Sequence, residues 1–197
     1  MIDPHFVILG AIISFAGGLN YLAGTLRGTV QPNRVSWFIW SLAPLVAFAA
    51  ELRQGVGLRS LTTFMVGFIP LLILTASFIS KKSQWKLTTF DLCCGSLSLA
   101  GLGLWYVSGA GNVAIAFSIL ADALAAVPTM VKAYVAPESE SAVGFLAFAI
   151  SGLITLATVR VWYFETYGFP LNICVLSLIL AALINFRPLR LASGTHR

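Results

Sequence analysis

Charge is what this sequence has least of. Asp, Glu, Lys and Arg make up 10% of its 197 residues, against about a quarter in soluble globular domains. So few charges cannot cover a water-facing surface. They suffice for a surface that faces lipid, where each charge is expensive. Histidine is nearly absent, with only His5 and His196, one near each end. No cluster of His, Cys and carboxylate has metal-ligand spacing, so no metal site is expected. Neither a P-loop nor a G-x-S-x-G element occurs, and no cofactor is implied. The last long apolar segment has no lysine, which excludes a Schiff-base chromophore. The three cysteines, Cys93, Cys94 and Cys174, sit inside apolar runs. That is the pattern of small lipid- or helix-facing residues, not of a disulfide framework. No cleaved leader is expected either, because the first residues lack a basic region and no small-residue site closes a short apolar run. These absences argue against an enzyme.

What is present is apolar length. Hydrophobic residues are 58% of the chain and the mean hydropathy is +0.91. A helix needs about 20 mostly apolar residues to cross a bilayer core. Charges and turn residues divide the chain into seven such stretches, at 6–26, 35–50, 58–80, 87–107, 112–134, 142–162 and 167–186. The cut between the fourth and fifth is a tight turn at Ser108-Gly109-Ala110-Gly111-Asn112, which no charge marks. The expected fold is therefore an all-α integral membrane protein of seven transmembrane helices.

The basic residues orient it. Arg27, Arg34, Lys81, Lys82, Lys86, Lys132, Arg187, Arg190 and Arg197 fall on one side of these spans, nine of the 12 Lys and Arg. Arg53, Arg59 and Arg160 fall on the other. The positive-inside rule puts the nine in the cytoplasm, the N-terminus outside and the protein in a cytoplasmic (bacterial inner) membrane. The pI of about 9.4 then reflects inner-leaflet loop charge and not nucleic-acid binding.

Two stretches resemble each other. Gly24-Thr25-Leu26-Arg27 leads through Pro32 to Ser36, and Pro128-Thr129-Met130-Val131-Lys132 leads through Pro137 to Ser141. Each closes one span with a basic residue, turns at a proline and enters the next span through a serine. Both the prolines and the serines are 105 positions apart. Residues 1–80 and 111–197 are then two three-helix repeats, with 81–110 as a single linker helix. Three crossings reverse the chain's direction and the fourth restores it, so both copies insert the same way up, as in one known transporter plan.

This layout resembles the PQ-loop and SWEET-like superfamily. Pro128-Thr129 stands where its second Pro-Gln pair would be, while the first repeat has no such proline and neither copy has the Gln. The chain resembles in particular a bacterial group of unassigned function that carries Ser-Trp-Phe-Ile-Trp, here at 36–40, and Pro-Thr…Lys-Ala…Pro-Glu-Ser-Glu-Ser, here at 128–141. The resemblance implies a cavity between the two triplets, lined by Trp and Asn side chains. The Trp-x-x-Trp-x-x-Asn element of the related nicotinamide riboside transporters is half present, because Ala43 follows Trp37 and Trp40.

Several residues stand out within the spans. Asp122 lies at mid-span with about ten uncharged residues on either side. A carboxyl at that depth must face the bundle interior, as a proton-coupling or substrate-binding group or as hydrogen-bonded packing. Asn20 and Asn172 must each bond another helix, water or a solute; a polar partner for Asp122 is expected from the first, second or seventh span, with Asn20 the first candidate. Trp37 and Trp40 share a helix face and suit stacking on a flat solute, or an interfacial belt in the case of Trp37. Trp85, Trp105 and Trp162 fit the belt. Pro128 and Pro44 are candidate hinges, since proline removes a helix hydrogen bond, and Pro170 reads as a helix-start proline. Glu138 and Glu140 read as a solvated loop, with an inner-gate pair to Lys132 or Arg34 as the alternative. Gly17, Gly18, Gly101 and Gly103 suit close helix approach.

The function expected is alternating-access transport of a small polar or amphipathic solute, with proton coupling through Asp122. The alternative is a non-transporting receptor or assembly factor on the same fold. Expected partners are the lipid bilayer and a small-molecule solute.

Overall fold

The computed structural model describes residues 2–53, 60–83, 85–108 and 112–194. Among them there are seven α-helices and no strand. They are α1 (Phe6–Arg27), α2 (Arg34–Arg53), α3 (Ser60–Ile79), α4 (Thr89–Ser108), α5 (Asn112–Val135), α6 (Ala142–Ala157) and α7 (Phe164–Gly194). A short 3-10 turn, Pro137–Ser139, links α5 to α6. Four stretches are long and apolar enough to cross a membrane: Phe6–Arg27, Thr89–Val107, Ile115–Val135 and Thr166–Asn185. Helix is the form that such runs must take away from water, because it bonds every interior N–H and C=O within the segment.

Polar side chains set the helix ends. Gly28 closes α1 in the left-handed region at φ 79°, where its missing Cβ removes the usual penalty. Asn33 starts α2: its Oδ1 accepts from the backbone N–H of Val35 (3.1 Å) and of Ser36 (3.4 Å). Thr88 and Asp91 form a reciprocal box at the start of α4, each side chain accepting from the other's backbone N–H at 3.3 and 2.6 Å. Outside the helices, Asp3 accepts from the backbone N–H and the ring of His5, which holds its carboxyl below the usual carboxylate range.

Two expected spans change length. The sixth, expected over 142–162, ends at Ala157. Its 16 residues reach about 24 Å, short of a core of about 30 Å. There the Thr158 hydroxyl bonds the carbonyl of Thr155, and the β-branched Val159 and Val161 follow. The seventh starts earlier than expected, at Phe164, and runs 31 residues to Gly194. Pro170 therefore lies well inside α7 and is not a helix-start proline. The turn expected at 108–112 falls largely on 109–111, outside the described residues.

The packing order is specific. In one triplet α3 lies between α1 and α2; in the other α7 lies between α5 and α6. The triplets meet through α1 against α6 and α2 against α5. Helix α4 packs on α5 and more lightly on α2. The α1–α6 contact is close because Gly17 has no side chain: a Cβ there would stand 2.2 Å from the Ala147 Cβ. Gly18 admits Ile69 and Gly101 admits Ala121 in the same way. Gly103 does not: a Cβ there would meet nothing within 4 Å, so it is no packing glycine.

The α1–α2, α3–α4 and α5–α6 connections share one end of the bundle. The Gln31 N–H donates to the Ser139 carbonyl at 2.9 Å, and the Ser83 hydroxyl donates to the Val30 carbonyl at 2.5 Å. The basic residues Arg27, Arg34, Lys81, Lys82 and Lys132 belong to this end. Around the bundle the outer face is apolar, with Ile12, Phe78, Leu97 and Leu153 each more than half exposed. An exposed apolar surface of this kind is what a lipid bilayer covers.

Candidate functional site

The helices line a partly open cavity of about 80 Å³. By the space a water centre needs, that is room for roughly five waters or one small solute. Ser14 reaches it from α1, Trp37 and Trp40 from α2, Ile69 and Pro70 from α3, and Asp122 from α5. Phe145, Phe148 and Ser151 come from α6, and Ser177 with its apolar neighbours from α7. Helix α4 contributes nothing to the lining.

Asp122 is buried and lines the cavity. Its Oδ2 accepts from the Asn172 amide at 2.6 Å. The first candidate partner, Asn20, is elsewhere. The buried stripe of α1 runs Ser14, Gly17, Gly18, Tyr21, Thr25, and Asn20 lies off it. Exposed, it accepts from the Ser141 hydroxyl at 3.1 Å. Asp122 is held instead by α7, whose Asn172 was a separate candidate.

Trp40 and Asp122 share a corner: the Trp40 Nε1–H donates to the Asp122 backbone carbonyl at 3.4 Å. Trp37 meets Trp40 edge-on, with centroids 5.3 Å apart at 86°. It is 1% exposed, which overturns the belt alternative for this residue. Its indole N–H is buried and has no hydrogen-bond partner among the described residues. Phe145 closes the cluster, 6.4 Å from Trp37 and 6.5 Å from Trp40. Of the other tryptophans, Trp162 is exposed as a belt residue would be. Trp85 is half-buried over the Lys132 ammonium at 5.1 Å, so it caps a charge inside the protein.

Behind the aromatic cluster lies a second, polar layer. Tyr21 joins the two: its ring lies against Trp37, centroids 4.6 Å apart and tilted by 49°, and meets Phe145 edge-on at 5.9 Å, while its hydroxyl donates to Glu140 Oε2 at 2.5 Å. Lys132 Nζ bonds Glu140 Oε1 at 2.8 Å, the Ser139 carbonyl at 3.2 Å and the Gln31 carbonyl. The solvated-loop expectation thus holds for exposed Glu138 and fails for buried Glu140. Arg34 takes no part. Its guanidinium bonds the Ser77 carbonyl at 2.6 Å and lies over the Phe78 ring.

Both candidate hinges, Pro44 and Pro128, lie inside helices and are buried. A third proline, Pro70 in α3, lines the cavity, and sequence reasoning passed over it. Also missed is Asp91, 4% exposed, whose Oδ1 accepts from the Asn33 amide at 3.0 Å and so ties the starts of α2 and α4. Its Thr-x-x-Asp spacing after a polar loop was the available signal. Among the described residues no group of three His, Cys, Asp or Glu could hold a metal ion. In comparisons with known proteins, no family model, no curated protein and no solved structure matches the chain.

Proposed function

We propose that the protein is an alternating-access membrane transporter for a small polar or amphipathic solute, and not an enzyme. The observation that carries this reading is the cavity around Asp122, lined by α1, α2, α3, α5, α6 and α7 but not α4. A buried carboxyl facing a cavity near mid-membrane, at the junction of two bundles, is how transporter sites are built. A scaffold or assembly factor would fill that space with Leu, Phe and Gly packing, and the cavity speaks against that reading.

The two-repeat plan has packing support. Exchange α1 with α5, α2 with α6 and α3 with α7, and the neighbours within and between triplets stay the same. The paired serines behave alike. Ser36 bonds Thr129 across the triplet boundary at 2.8 Å, and Ser141 bonds Asn20 across it at 3.1 Å. Trp40 and Phe145, the same 105 positions apart as the serines, both face the cavity. These relations favour parallel repeats of the SWEET-like kind with α4 as linker. Seven crossings in a cytoplasmic membrane, N-terminus outside, complete the reading. The end bearing Lys132 and Glu140 is then the cytoplasmic side, and the conformation is shut there by the aromatic and ionic layers.

The test is uptake by purified protein in proteoliposomes against a panel of small solutes of differing charge. Saturable, protein-dependent uptake of at least one solute is expected. A cavity that binds solutes with no flux in either direction would move the assignment to a receptor.

A further inference from the structure

Taking that reading one step further, we infer that the cavity receives a small organic monocation whose charged head sits at Asp122 and whose apolar body lies against Trp37, Trp40 and Phe145. Three observations combine. Asp122 is the one ionisable side chain among the described residues that line the cavity, so no Lys, Arg or His balances it there. Its Oδ2 is held by Asn172, and among the described residues no donor bonds its Oδ1. The walls beside it are aromatic, with three ring pairs 5.3 to 6.5 Å apart and Trp40 bonded to the backbone of Asp122 itself.

A carboxylate beside ring faces attracts a cation twice, by charge and by the ring quadrupole, and both terms grow as water is excluded. Other solute classes fit worse. An anion meets a carboxylate and no positive partner. A zwitterion leaves its own carboxylate unpaired for the same reason. A sugar requires many hydrogen-bond partners, whereas the lining offers the hydroxyls of Ser14, Ser151 and Ser177 in a mostly apolar wall. A lone carboxylate is also too few ligands for a divalent metal ion.

The experiment measures binding to purified full-length protein by titration calorimetry. It compares choline with its uncharged isostere 3,3-dimethylbutanol, and benzyltrimethylammonium with phenylacetate. Both cations are permanently charged, so ligand protonation plays no part. Each is expected to bind at least about tenfold more tightly than its uncharged or anionic counterpart, and Asp122→Asn is expected to abolish that preference. Equal binding of choline and 3,3-dimethylbutanol overturns the inference, as does no binding of either cation, or an unchanged preference in Asp122→Asn. If that variant fails to fold, the wild-type preference decides, with Trp40→Leu expected to weaken both cations. Flux is scored separately in proteoliposomes. Cations bound but not carried leave the site assignment standing and remove the transporter reading. Neutral or anionic solutes carried with no cation bound do the reverse.

Discussion

The Lys132 ammonium lies 2.8 Å from a Glu140 carboxylate oxygen, and the two side chains are 1% and 0% exposed. Each has further partners: Tyr21 on the other carboxylate oxygen, and the Gln31 and Ser139 carbonyls on the ammonium. Removing one member of a buried, fully bonded pair strands the other charge, at a cost of about 3–5 kcal/mol. Lys132→Met and Glu140→Leu should each lower thermal stability in detergent by that order. The double variant should recover much of the loss, because no bare charge remains. Single variants that melt with the wild type would show that the pair is not held as described.

The α1–α6 junction gives a test with opposite signs for one chemical change. Gly17→Ala puts a methyl 2.2 Å from the Ala147 methyl, so the helices must part, at about 1–3 kcal/mol. Gly103→Ala adds a methyl where nothing lies within 4 Å. It should leave stability unchanged or raise it by up to about 1 kcal/mol, through better helix propensity. Melting curves of the two variants in one detergent decide this, and equal shifts would contradict the packing.

The sequence made the helices legible because apolar length and the scarcity of charge act locally. All seven stretches became helices, and the errors fell at ends. Helix α6 ends at Ala157, although apolar Val159, Val161 and Trp162 carry on the hydropathy that set the expected end. The site was legible in part. Asp122 and Asn172 stood out as polar groups in apolar runs, but which amide reached the carboxyl depended on helix rotation. Asn20 is one position from buried Tyr21 and still faces away. Glu140 resembled any loop carboxylate, because its burial needs Tyr21, 119 positions away on α1, as well as nearby Lys132. Trp37 could not be told from a belt residue, since its place under Tyr21 and Phe145 is a tertiary fact.

Orientation can be checked directly. The α1–α2, α3–α4 and α5–α6 connections are hydrogen-bonded to one another, so they must lie on one side of any membrane. Reporter fusions after Thr29, Lys82 and Glu138, all exposed positions, should read alike and cytoplasmic. A fusion after Arg160 should read external. Split readings among the first three would break the shared-end arrangement. A uniform external reading would keep the bundle and reverse its orientation.

The Asp122–Asn172 bond separates two roles for the carboxyl. Asp122→Asn keeps nearly the same shape and can still bond Asn172 through its amide oxygen, but it cannot take up or release a proton. The variant should therefore fold with wild-type stability. If Asp122 couples protons to transport, uptake in proteoliposomes at saturating solute should lose its dependence on pH and on an imposed proton gradient. Asp122→Leu differs, because it leaves the part-buried Asn172 amide without its partner. A loss of about 1–3 kcal/mol is expected there, and Asn172→Leu added to it should restore part of that loss. The comparison that decides is the Asn variant against the wild type across pH. An unchanged pH profile, together with the stability loss in Asp122→Leu, would reduce Asp122 to a bond between α5 and α7. A flat profile in a fully folded Asn variant would make it the proton-carrying group of the site.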